Sequence, residues 1–131
     1  MLDTGNYHLI CSDAFVELPK LPPNSVDALI TDPPYCSGGT FASDRTQRDP
    51  VSKYEQTGTH RTKPTFGGDQ KDQRSWIRWT ADWLRDCYQS LKVGAPFAIF
   101  VDWRQLPALT DAVQMADFVW RGIAVNTLAT T

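Results

Sequence analysis

A chain of 131 residues with 41% hydrophobic and 11% aromatic content has the material for one core and one domain. No apolar stretch approaches the roughly 20 residues of a helical membrane span, and Met1 to Thr4 lacks the basic start and long apolar region of a secretory leader. Membrane proteins and exported domains are therefore set aside, and a cytoplasmic location is expected. Three cysteines, Cys11, Cys36 and Cys87, show no paired metal-ligand spacing and read as reduced and structural.

The net charge of −2 would disfavour a polyanionic partner if it were spread evenly, but it is not. Between Cys36 and Arg78 stand eight basic residues (Arg45, Arg48, Lys53, Arg61, Lys63, Lys71, Arg74, Arg78) against five acids, a local +3 that leaves −5 for the remainder. Interleaved with Tyr54, His60 and Phe66, this stretch has the character of a phosphate-contacting loop, although solvated charge explains most such stretches.

In chain order, Tyr7 to Cys11 reads as a strand, and Asp13 as the N-cap of a short helix through about Leu18. Leu21-Pro22-Pro23-Asn24 is a turn. Val26 to Thr31 is an apolar run suited to a buried strand, and Pro33 and Pro34, which cannot continue a ladder, stop it with Asp32 at its carboxyl edge. Ligands of open α/β sheets bind at that edge. Residues 36–73 follow neither helical nor strand period, and a loop of that length leaving such an edge is expected to bind or to cover a site, with part of it mobile without a partner.

From about Ser75 to Lys92, Trp76/Ile77, Thr80, Trp83/Leu84, Cys87/Tyr88 and Leu91 recur at helical spacing, and Gly94 and Pro96 are stop signals. Phe97 to Val101 reads as a second buried strand ending in Asp102, so Asp102 is expected on the same edge as Asp32. A helix over Leu106 to Ala116 and a further strand over Phe118 to Val125 complete an α/β pattern of parallel βαβ crossovers with flanking helices.

Asp32-Pro33-Pro34-Tyr35 after a hydrophobic strand resembles the catalytic motif of amino-group DNA methyltransferases, which make N6-methyladenine or N4-methylcytosine. Cys11-Ser12-Asp13, Asn24-Ser25-Val26-Asp27, Phe66-Gly67-Gly68-Asp69-Gln70 and Phe100-Val101-Asp102-Trp103-Arg104 resemble prophage-type members, over about residues 7 to 125. The resemblance implies a partial Rossmann-like fold, with residues 1–131 as a single, incomplete catalytic domain. It implies S-adenosylmethionine as cofactor and double-stranded DNA as substrate. Asp32 and the Pro33 carbonyl would accept the hydrogens of a flipped base's amine, Pro34 would hold the turn, and Tyr35 would stack on the base. Asp13 and Asp32 would face the cofactor, and Arg45, Arg48, Lys53, Arg61 and Lys63 would contact DNA. The acid at Asp32 leans toward adenine over cytosine, and away from the RNA and protein-glutamine enzymes whose version is Asn-Pro-Pro-Tyr. For Asp13 capping alone also suffices, and for Tyr35 the alternative is a strand-end aromatic covering the core.

The family's Phe-x-Gly-x-Gly cofactor segment has no counterpart here, because Gly38-Gly39 and Gly67-Gly68 do not follow a strand. The expectation is a truncated frame that binds S-adenosylmethionine weakly and methylates DNA poorly or not at all. A complementing chain, or self-association through an exposed sheet edge, would supply what is missing. A non-catalytic remnant that still contacts DNA is the alternative.

Overall fold

The computed structural model describes residues 2–3, 5–37, 71–125 and 127. Strands β1 (Leu2–Asp3) and β2 (His8–Leu9) form an antiparallel pair. Helix α1 (Ala14–Glu17) runs into a 3-10 turn at Leu18–Lys20, and β3 (Leu29–Thr31) follows. Helix α2 (Gln73–Ser90), β4 (Phe97–Ile99) and helix α3 (Leu106–Met115) complete the fold. Strands β3 and β4 are parallel neighbours, with Ile30 opposite Ala98. The chain is thus a small α/β fold with a short parallel sheet and helices.

Each element has a local cause. Asp13 caps α1 through its carboxylate, which accepts from the Phe15 N–H at 2.9 Å. Strand β3 stops because neither proline after Asp32 has an N–H to donate. Helix α2 buries the stripe Trp76, Thr80, Trp83, Leu84 and Cys87, packed against Ala108, Leu109 and Val113 of α3 and the inner faces of Leu29, Phe97 and Ile99. Each fully buried large apolar side chain here is worth about 1.5–3 kcal/mol. Beyond α2, Gly94 takes φ +79°, a left-handed turn conformation open to glycine without strain.

Two sequence expectations are corrected. The strand near residue 8 pairs antiparallel with β1, outside the β3–β4 ladder, so among the described residues the parallel sheet has two strands. Residues 118–125 form no strand. Phe118 is drawn into the core against Phe97 (4.7 Å between ring centres) and Tyr88 (5.2 Å), and Val119, Ile123 and Val125 then lie exposed with no ladder partner among the described residues. Apolar composition supplied a strand's residues but not the neighbouring edge that a strand requires.

Candidate active site

The parallel ladder runs past β3 and β4, since the Phe100 N–H donates to the Thr31 carbonyl at 2.9 Å. Asp32 and Asp102 therefore leave adjacent strands at the same carboxyl end. The Tyr35 hydroxyl donates to Asp32 Oδ1. Partial burial, then the Asp32 hydrogen bond and charge, and last the Asp102 charge push the Tyr35 phenol well above its ordinary range, so it stays a donor. Asp32 itself is exposed, and no hydrogen bond among the described residues engages its Oδ2.

Helix α2 locks the turn between these two residues. The indole Nε1–H of the fully buried Trp76 donates to the Pro34 carbonyl at 2.7 Å. Pro33 is buried, Pro34 half-buried, and Cys36 turns the chain inward with φ +55°, a left-handed conformation costly for a residue with a Cβ. Two prolines of fixed φ, an indole clamp and a left-handed turn give the Asp32–Tyr35 segment little freedom. A carboxylate, a main-chain carbonyl and an aromatic ring held this way suit a planar ligand bearing an amine.

Asp102 has its own network. Its Oδ1 accepts the Arg104 N–H at 2.7 Å and its Oδ2 accepts Arg104 Nη1 at 3.2 Å. Arg104 and Gln105 then line a cleft of about 140 Å³ with Cys36, Ser37 and Gln73. The periodicity of the sequence did not reveal this cleft, because its lining comes from three separate segments.

Of the residues singled out from sequence, Asp32, Pro33, Pro34 and Tyr35 form one turn, with Asp102 near enough to act on Tyr35. Asp13 is engaged in capping α1, and no hydrogen bond or ion pair among the described residues joins it to Asp32. Arg45, Arg48, Lys53, Arg61 and Lys63, and most of the expected 36–73 loop, lie outside the described residues. Cys87 is buried in the core, and burial pushes its thiol up to about 11, which leaves it inert as a nucleophile at neutral pH.

The chain is similar to the type II methyltransferase M.HpaI of Haemophilus parainfluenzae, at 28% identity over 93 residues. The likeness is to a methyltransferase. It takes in 71% of this chain and 22% of that enzyme's length. No family model matches the chain, and no solved structure matches it.

Proposed function

We propose that this chain carries the catalytic edge of an amino-group DNA methyltransferase that methylates the exocyclic amine of a flipped base, adenine N6 by preference. The observation that carries this reading is the Asp32-Pro33-Pro34-Tyr35 turn, held by Trp76 at the carboxyl end of β3 with Asp32 and Tyr35 hydrogen-bonded to each other. The methyltransferase likeness supports it.

An exocyclic aromatic amine is a weak nucleophile because its lone pair is delocalised into the ring. Asp32 Oδ2 accepts one amine hydrogen and the Pro33 carbonyl the other, which draws the lone pair back onto nitrogen and aims it. The Tyr35 hydroxyl fixes the rotamer of the Asp32 carboxylate through Oδ1, and its ring provides a stacking face for the base. The base must leave the duplex to reach this edge. Alignment is worth much of the barrier, since a well-oriented bound pair gains about 7–11 kcal/mol over free encounter.

S-Adenosylmethionine, when bound, supplies an electrophilic methyl group. Asp13 is exposed, and with one carboxylate oxygen engaged in capping α1 the other would be the acceptor for an amine or hydroxyl group of that cofactor. Residues 1–131 are read as a single, incomplete catalytic domain, with the 36–73 segment and its Arg45, Arg48, Lys53, Arg61 and Lys63 on the DNA side.

Tritiated methyl transfer from S-adenosylmethionine to mixed-sequence duplex DNA tests the reading, with the labelled base identified by chromatography. Weak incorporation into N6-methyladenine that falls at least about 100-fold in Asp32→Ala is expected, because alanine accepts no hydrogen bond. Incorporation undiminished in that variant would exclude the mechanism, and label in N4-methylcytosine would change the base.

A further inference from the structure

We infer that the cleft lined by Cys36, Ser37, Gln73, Arg104 and Gln105 is a binding site for a phosphate group. Three independent features meet there. Ser37 is 6% exposed, and its Oγ has no hydrogen-bond partner among the described residues. A hydroxyl hidden from water normally finds a partner, so an orphan one lining a cleft calls for a ligand atom that can accept or donate. Arg104, which carries a guanidinium, lines the same cleft. Asp102 engages its Nη1 and backbone N–H, and the remaining donors of the fork exceed what one carboxylate contact uses.

The third feature is the start of α2. Gln73 is the first residue of this 18-residue helix, and the Asp72 side chain makes no capping hydrogen bond. The first N–H groups of an α-helix have no intrahelical partners, and the helix dipole places partial positive charge on them. Oxyanions of phosphate bind at such ends. Nearby carboxylates oppose an anion, and Asp32 at the adjoining edge already accepts from Tyr35. Asp102 is already paired with Arg104, and Asp72 is exposed beside the helix start.

Size and position agree with the chemistry. A cleft of about 140 Å³ holds several times the roughly 30 Å³ share of one liquid water, which is room for a phosphate group keeping part of its hydration. Ser37 lies two residues beyond Tyr35, and Arg104 two beyond Asp102, so the cleft adjoins the Asp32–Tyr35 edge. A phosphodiester next to a base at that edge is the occupant that this position favours, an assignment that rests on the proposed reading; free phosphate shares the same chemistry.

Titration of the 131-residue chain, at low ionic strength, with inorganic phosphate and separately with a short mixed-sequence duplex separates these sources. Amide resonances of Ser37, Gln73 and Gln105 should shift with phosphate. Arg104→Gln should weaken phosphate binding about tenfold, and Ser37→Ala several-fold, with no fall in the thermal midpoint, since the lost hydroxyl had no partner among the described residues. With the duplex, Arg104→Gln should also reduce the slope of log affinity against log salt by about one, the signature of one lost phosphate contact. Duplex binding that perturbs the same amides and competes with phosphate supports the phosphodiester. Phosphate binding without such competition supports a free-phosphate site and overturns the phosphodiester assignment. Absence of phosphate binding, or binding indifferent to both variants, overturns the site. Asp32-dependent methyl transfer in that last case would leave the methyltransferase reading standing while this inference falls.

Discussion

The hydrogen bond from Tyr35 to Asp32 makes two demands that can be measured separately. Its hydroxyl is held protonated above its ordinary value of 10.0, by burial first and by Asp32 second. Because the folded value is raised, the native state keeps a proton that the unfolded chain gives up, so this contribution to stability is full below pH 10 and is lost as pH rises beyond it. A spectrophotometric titration should show one tyrosine ionising later than the rest, a lag missing from Tyr35→Phe. The urea midpoint of the parent should also fall more steeply above pH 10 than that of Tyr35→Phe. The ring makes the second demand. Tyr35→Phe keeps a stacking face and should retain most base affinity, whereas Tyr35→Ala should lose about 1–3 kcal/mol, read by anisotropy with a labelled oligonucleotide. Equal losses in the two variants would assign the hydroxyl, and not the ring, to the base.

Helix α2 was legible in the sequence because burial and period coincide. Trp76, Thr80, Trp83, Leu84 and Cys87 sit on the stripe that spacing marks, and all five are buried. What spacing could not reveal is that the Trp76 indole reaches a carbonyl 42 residues away, since periodicity reports which face is covered and not by what. The two roles separate by substitution. Trp76→Phe keeps most of the buried ring but leaves the Pro34 carbonyl unpaired and should cost about 1 kcal/mol, whereas Trp76→Ala opens a cavity and should cost about 3–5 kcal/mol. Urea unfolding of both variants checks this, and equal costs would mean that the hydrogen bond carries most of the residue's contribution. The carboxyl ends of β3 and β4 were legible for a chemical reason, as a proline pair and an acid mark where a ladder stops. The Phe118–Val125 segment misled because hydrophobicity was present without an edge to pair with. The pairing of β2 with β1 likewise depends on residues that carry little pattern of their own.

At the scale of the molecule, the parallel sheet packs one face on the core among the described residues. Leu29, Phe97 and Ile99 pack on the core under α2 and α3, whereas Ile30 is 75% and Phe100 55% exposed on the alternate positions of the same two strands. Parallel strands are ordinarily buried on both faces, and an uncovered apolar face beside open edges favours contact with another surface. The open face also leads to the candidate site, since Asp32 follows Ile30 at strand spacing. Self-association through it is therefore expected to depend on concentration, and sedimentation velocity across a tenfold range should show the rise in mean mass. Ile30→Lys changes no core contact and places a charge in the middle of the face, so it should lower that association while leaving the unfolding free energy within about 0.5 kcal/mol of the parent. The added lysine also stands two residues from Asp32, and for that reason duplex affinity should hold or rise as association falls. A chain that stays monomeric over the whole range, and whose mass Ile30→Lys does not alter, would show that water alone satisfies this face.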